Sequence, residues 1–215
     1  MVDVKICGLS TLESIDAAIN AGADLIGLVF YPRSPRHVSL QQARILANHA
    51  RGRAKIVALI VDADDEALQS INDIVAPDLY QAHGSETPER IAAIRALTAK
   101  PVIKAIKVKD ETDIAGADAY AGKASLILFD AKAPESLKHA LPGGNGLAFD
   151  WPLLGKGGSQ EGFILSGGLN PQNVAEAIRV TGAPIVDVSS GVESAPGVKD
   201  LGLIRKFIEA AKSAR

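Results

Sequence analysis

The stretch "GFILSGGLNPQNVAEAIRVTGAPIVDVSSGVE", residues 162–193, carries the pattern on which the fold turns. "GFILSGGL" reads as an apolar strand that runs into paired glycines. "PQNVAEAIRVTG" has the spacing of an amphipathic helix, and "APIVDVSSGVE" is a β-branched strand that ends in another glycine-bearing loop. The unit is a strand, a helix and a second strand.

The same alternation extends back to the start of the chain. "DVKIC", "ADLIGLVF", "AKIVALIV", "DLYQAH", "PVIKAIKV" and "ASLILFD" read as strands one to six. Between them lie the helical stretches "STLESIDAAINAG", "SLQQARILANHA", "DDEALQSINDIV", "TPERIAAIRAL" and "DETDIAGADAYAG". Ser10, with Glu13 three residues on, is the expected cap of the first helix and Gly22 its stop. Ser39 is the expected cap of the second. Pro88 suits the first position of the fourth, where its missing N–H costs nothing. Past residue 193, a polar loop leads to "LGLIRKFIEAAK", the eighth helix. The segment between strands six and seven, "AKAPESLKHALPGGNGLAFDWPLLGKGGSQE", breaks the pattern, with room for one or two short helices.

Eight strand–helix units in 215 residues predict a single α/β domain over 1–215, a (β/α)8 TIM barrel. The rival is a doubly wound open sheet, but its G-x-G-x-x-G turn after the first strand is missing. Composition agrees with a barrel. Hydrophobic residues make up 47% and charged residues 22%, while aromatics are only 4%, so the core is built from Ala, Val, Ile and Leu. A net charge of −2 gives no sign of a nucleic-acid or anionic-membrane partner. The single cysteine excludes an intramolecular disulfide. With no leader-like segment and no apolar run of membrane-spanning length, the expectation is a cytoplasmic protein, monomer or homodimer.

In a closed barrel the chemistry gathers at the C-terminal ends of the strands. The loops after strands seven and eight, with Gly167, Gly168, Ser190 and Gly191, let backbone N–H groups approach an anion closely. Their position predicts a phosphate site; the alternative is two plain glycine turns. "FYPRSPRHVS" after strand two is a proline-stiffened loop that can aim Arg36 at a carboxylate or phosphate; the alternative is a solvated basic loop. Asp130 ends an apolar strand, where a carboxyl acts as an acid if its pKa is raised, or else caps a helix or joins a salt bridge. Asp187 is similar and is placed deeper in the mouth. His83 either binds substrate or caps the fourth helix. Cys7 ends strand one, as an inert buried thiol or a reactive one facing a pocket. No cluster with metal-ligand spacing is visible, and no cofactor is expected.

Taken in order, "KICG", "SPR", "HG", "LFD", "GGNGLAFDW", "LSGGL" and "DVSSGVE" resemble the phosphoribosylanthranilate isomerases of tryptophan biosynthesis across nearly the whole chain. The resemblance implies a small-molecule phosphosugar substrate and a cofactor-free Amadori rearrangement, of N-(5-phosphoribosyl)anthranilate to the carboxyphenylamino-deoxyribulose phosphate. It implies a general base in "KICG", here Cys7, a general acid in "LFD", here Asp130, and an arginine for the anthranilate carboxylate in "SPR", here Arg36. "LYQAHG" departs from a more usual "VQLHG"-like run, which leaves the role of His83 open.

That chemistry gives the lone thiol a task. The acid protonates the ribose ring oxygen, the ring opens to an imine, and a base removes the newly acidic proton on the second carbon. An ordinary thiol, with a pKa of about 8.5, is near enough to neutrality to serve. Lys5 shares a strand face with Cys7 and either favours the thiolate or pairs with an acidic neighbour. The irregular segment from Ala131 to Phe149 is expected to act as a lid that keeps water from the imine. Three rivals stand beside this reading: the related Amadori isomerase of histidine biosynthesis, expected to have a carboxylate in place of Cys7; a ribulose-phosphate epimerase, expected to have metal-binding histidines; and a non-catalytic phosphate-binding barrel.

Overall fold

Strand parity explains the architecture best. In a strand, alternate side chains face opposite ways, so each strand here feeds the barrel interior with one set and the helix-facing layer with the other. In the computed structural model, which describes residues 1–131, 143–144, 150–157 and 162–214, eight strands close into a barrel in chain order. They are β1 (Asp3–Cys7), β2 (Leu25–Phe30), β3 (Lys55–Ile60), β4 (Leu79–Ala82), β5 (Val102–Val108), β6 (Leu126–Ala131), β7 (Phe163–Leu165) and β8 (Ile185–Val188). All neighbours are parallel, and β1 pairs with both β2 and β8. This is a (β/α)8 TIM barrel.

The interior has an apolar lower layer. Leu25, Val57, Ile103, Ala105, Leu128 and Ile164 pack on one another inside the barrel. One step further along the same parity, towards the C-terminal ends, come Gln81, Asp130 and Asp187, with His83 just beyond β4. The polar site therefore stands on an apolar floor. The opposite parity packs against the helices: Val4 and Ile6 of β1 join the large outer core with Ile15, Ala18, Ile204 and Phe207.

The surrounding helices are α1 (Leu12–Ala21), α2 (Leu40–Ala50), α3 (Asp65–Val75), α4 (Pro88–Thr98), α5 (Glu111–Ala115), α6 (Pro152–Gly157), α7 (Val174–Thr181) and α8 (Leu201–Ser213). Gly22 stops α1, Ser39 caps α2, and Pro88 opens α4 after the Thr87 cap, as expected. Three local expectations are corrected. Thr11, not Ser10, caps α1, and its reciprocal partner is Ser14 rather than Glu13, because the chain turns one residue later. The fifth helix is only five residues of α-helix followed by a 3-10 turn over Gly116–Tyr120. The polar loop before α8 contains a small antiparallel hairpin, β9 (Glu193–Ala195) and β10 (Val198–Lys199). Apart from Ala131 in β6, Gly143 and Gly144, the expected lid lies outside the described residues. None of the described helices is long and apolar enough to cross a membrane.

Candidate active site

Cys7, Arg36, His83, Asp130, Gly167, Gly168, Asp187, Ser190 and Gly191 all line one cavity at the C-terminal mouth of the barrel. They come from the ends of β1, β4, β6, β7 and β8 and from the loop after β2, so barrel closure alone brings them together.

The corner around Cys7 is built from charge. Lys5 lies two residues before Cys7 on the same interior face. Its Nζ donates to Asp187 Oδ1 at 2.9 Å, and both groups are buried. Lys5 and Asp187 are register partners across β1 and β8, which makes the pair a direct product of strand pairing. Burial alone would disfavour the ammonium, but the charges of Asp187 and Cys7 hold the Lys5 pKa above its ordinary value. Lys5 thus takes up both expected roles, pairing with an acid and facing the thiol. On β2, Gly27 supplies the space: a Cβ there would meet Cys7 Sγ at 2.9 Å and Lys5 Nζ at 3.2 Å.

Lys5 does not leave the thiol at an ordinary acidity. Burial pushes the Cys7 pKa above its usual value, and Asp187 adds to this. Lys5 and Lys199 pull the other way without cancelling it. The expectation of a thiol poised near neutrality is corrected accordingly: at neutral pH the resting group is the thiol.

The corner around Asp130 is built from hydrogen bonds. Asp130 Oδ2 lies 3.1 Å from His83 Nε2, and Oδ1 accepts from the Ala131 N–H at 3.0 Å. His83 Nδ1 is in turn 3.0 Å from Gln81 Nε2. His83 does not cap the fourth helix. Thr87 does, because its Oγ1 accepts from Arg90 N–H, and His83 turns inward to the cavity. Among the described residues Asp130 caps no helix; its partners there are the imidazole and the Ala131 N–H.

Arg36 sits in the loop after β2, buried rather than solvated. Its Nε donates to Glu193 Oε1 at 2.7 Å and its Nη2 to Glu193 Oε2 at 2.8 Å. Glu193 also accepts from Lys199 Nζ at 2.7 Å. Burial opposes ionisation of Glu193, but the hydrogen bond from Arg36 and the nearby charge of Lys199 hold its carboxyl below the usual range. The rigid aim expected from the two prolines is therefore reinforced by an ion pair on one edge of the guanidinium.

The two glycine loops meet closely. Gly167 and Gly168 have φ of +85° and +64°, a region that side chains rarely adopt. Their N–H groups have no protein acceptor among the described residues. A Cβ on Gly191 would run into the Leu169 carbonyl oxygen, so only glycine lets the loop after β8 lie against the loop after β7. Among the described residues, no group of three or more His, Cys, Asp or Glu side chains has the arrangement for a metal ion.

Residues 4–210 match the family model of N-(5'-phosphoribosyl)anthranilate (PRA) isomerase. The chain belongs to the PRA isomerase family. The N-(5'-phosphoribosyl)anthranilate isomerase of Rhodopseudomonas palustris (strain BisA53) is 54% identical over 212 residues, covering 99% of this chain and 96% of the relative. The crystal structure of the Thermotoga maritima enzyme superimposes with a TM-score of 0.88 at 38% identity, covering 99% of both chains. A second PRA isomerase crystal structure, in complex with reduced 1-(o-carboxyphenylamino)-1-deoxyribulose 5-phosphate, gives a TM-score of 0.83 at 36% identity, again over 99% of both chains. In this family member the sequence reading missed Glu193, Lys199, Gln81 and Gly27 as parts of the site. Glu193 stood in view at the end of "DVSSGVE". Lys199 gave no signal, since one lysine in a polar loop looks like any solvated lysine.

Proposed function

We propose that the cavity carries out the PRA isomerase reaction with Cys7 as general base and Asp130 as general acid. This is an aldose–ketose isomerisation of tryptophan biosynthesis, converting N-(5'-phosphoribosyl)anthranilate to 1-(2-carboxyphenylamino)-1-deoxyribulose 5-phosphate. The observation that carries the residue assignment is that the thiol, the carboxyl and both glycine loops line one cavity, each from a different strand end.

The phosphate lies against the Gly167–Gly168 and Ser190–Gly191 loops, whose glycines let the main chain approach an anion. At the other end, Arg36 receives the anthranilate carboxylate. The furanose ring is then held between Asp130 and Cys7. Asp130 gives its proton to the ring oxygen, the C–O bond breaks, and the nitrogen lone pair forms the imine. Gln81 Nε2 donates to His83 Nδ1, which leaves the ring hydrogen on Nε2, 3.1 Å from Asp130 Oδ2, so that N–H meets the charge on the carboxylate left behind.

The imine acidifies the proton on the second carbon of the sugar. Cys7, as thiolate, removes it to give the enolamine, which tautomerises to the ketose. The thiol is a base and forms no covalent bond to the sugar. Because burial raises its pKa, the active thiolate is a minority at neutral pH. Lys5 and Lys199 limit that cost by stabilising the anion. Asp187 orients Lys5 and takes no proton itself.

A continuous fluorescence assay tests the reading. Fluorescent phosphoribosylanthranilate should disappear when the purified protein is added, with no metal or cofactor supplied. Signal that persists at catalytic enzyme concentrations would remove the assignment, and signal lost equally fast with Cys7→Ser would remove Cys7 from it.

A further inference from the structure

The guanidinium of Arg36 has two usable edges. The edge formed by Nε and Nη2 is fully engaged with the two oxygens of Glu193, at 2.7 and 2.8 Å. The second Nη2 hydrogen reaches the Gly144 carbonyl at 3.3 Å. Nη1 has no acceptor among the described residues, and it faces Gly144, where an added Cβ would lie 2.7 Å from it. Arg36 and Gly144 both line the cavity, whereas Glu193 and Lys199 do not.

Glu193 is itself fixed. Its Oε1 accepts from Lys199 Nζ at 2.7 Å and its Oε2 from the Gly197 N–H at 3.2 Å. The Lys199 side chain is only 2% exposed and also donates to the Ser189 carbonyl at 2.8 Å. Ser189 Oγ donates to the Cys7 carbonyl at 3.1 Å. The hairpin packs directly on the arginine loop, since a Cβ on Gly197 would meet the Pro35 carbonyl oxygen at 2.5 Å. Arg36, the hairpin and the loop after β8 are thus joined through Glu193 and Lys199, which do not line the cavity, and the Ser189 side chain carries the link on to the end of β1.

We propose that Glu193, braced by Lys199, is the positioning residue that sets carboxylate specificity, by holding one edge of Arg36 so that Nη1 points into the cavity. This rests on the reading that Arg36 receives the anthranilate carboxylate. A carboxylate near an anion site has an obvious rival role, which is simply to weaken anion binding by repulsion. The two roles predict opposite signs. Arg36, Lys199 and Glu193 together carry one net positive charge. Neutralising Glu193 raises that to two, so a purely repulsive Glu193 predicts tighter binding of anions once it is removed. A positioning Glu193 predicts weaker binding, because a freed guanidinium loses its aim and small misplacements in a site are costly.

The test compares two probes: reduced 1-(o-carboxyphenylamino)-1-deoxyribulose 5-phosphate, and the same compound without the ring carboxylate. Each is titrated against wild type, Arg36→Lys and Glu193→Gln, with folding checked by circular dichroism and thermal melting. Wild type should prefer the carboxylated probe. Arg36→Lys should lose that preference. Glu193→Gln should weaken the carboxylated probe by about 10- to 100-fold and leave the other within a few-fold. Preference lost in Arg36→Lys but kept or increased in Glu193→Gln overturns the proposal and leaves the Arg36 reading standing. No preference in wild type overturns both. If Glu193→Gln does not fold, Glu193→Asp keeps the charge with a shorter reach and should give a smaller loss in the same direction. On unaltered protein, the Arg36 Nε–H resonance should stay protected from exchange when the carboxylated probe binds. Loss of protection on binding would mean that the ligand displaces Glu193, which also overturns the proposal.

Discussion

The two proton-handling corners of the site solve different problems with different means. Around Cys7 the partners are ions, Lys5 and Asp187, buried in the barrel beneath it, with Lys199 close enough to act through its charge. Around Asp130 the partners are hydrogen-bonding groups, His83 and its own strand's N–H. A base that must lose a proton while buried needs cations to offset the loss of water. An acid that becomes a carboxylate needs a donor in contact with the oxygen where charge appears. The contrast predicts that base function responds to pH and to charge, and that acid function responds to hydrogen-bond geometry.

The largest effect should come from the base itself. Cys7→Ser keeps the shape but offers a far weaker base, and its interaction with the moving proton exists chiefly in the transition state. Steady-state kinetics should show kcat reduced by at least about 10²–10⁴-fold with KM little changed. A kcat within a few-fold of wild type would mean that the thiol only fills space and would dissolve the comparison.

Asp130→Asn comes next. The amide has no proton acidic enough for the ring oxygen, so turnover should fall by about 10²–10³-fold. A surrogate whose ring is already open should recover part of that loss. Near-normal turnover on the true substrate would place the acid elsewhere.

The pH profile of Asp130→Asn isolates the base corner, because the other proton-handling side chain is gone. Burial raises the Cys7 pKa, and the active form is the thiolate, so the residual kcat/KM of this variant should rise with pH across the neutral range and level off only above the ordinary cysteine value. A residual rate that is flat across the neutral range would contradict a buried thiolate base.

The smallest effect should be that of His83→Asn. It removes the imidazole donor to Asp130 but leaves the acid, so turnover should fall by about 10- to 100-fold, the range for one hydrogen bond to a charged group. Its pH profile should keep the wild-type shape, since no contact between His83 and Cys7 is involved. A profile displaced along the pH axis would show that the two corners are coupled rather than separate.

Much of this was legible in the chain alone. Period-two alternation and eight repeated units are local properties, so the barrel and its strand ends followed from the chain directly. Once strand ends are known, so are the residues that stand there, and all nine candidate positions line one cavity. The helix caps were less legible at α1, where Ser10 and Thr11 are both good caps and only the path of the chain chooses Thr11. The short α5 carries acidic residues in its first turn and a sound Asp110 cap, yet after five residues it passes into the 3-10 turn over Gly116–Tyr120.

That Lys5 could pair with an acid was legible; which residues pair was not. Lys5 and Asp187 are 182 residues apart, Arg36 and Glu193 are 157 apart, and His83 and Asp130 are 47 apart. No local pattern distinguishes a lysine that will be sealed beside an aspartate from one that will stay in water. Propensity and periodicity act over a few residues, so local sequence settles which elements form, in which order, and which side chains reach the barrel mouth. The tertiary structure decided which charges meet, that the Cys7 thiol is harder to ionise than an isolated one, and that Arg36 is held by its far edge. Those outcomes depend on burial and on closure of β1 against β8, which exist only when the whole barrel is folded.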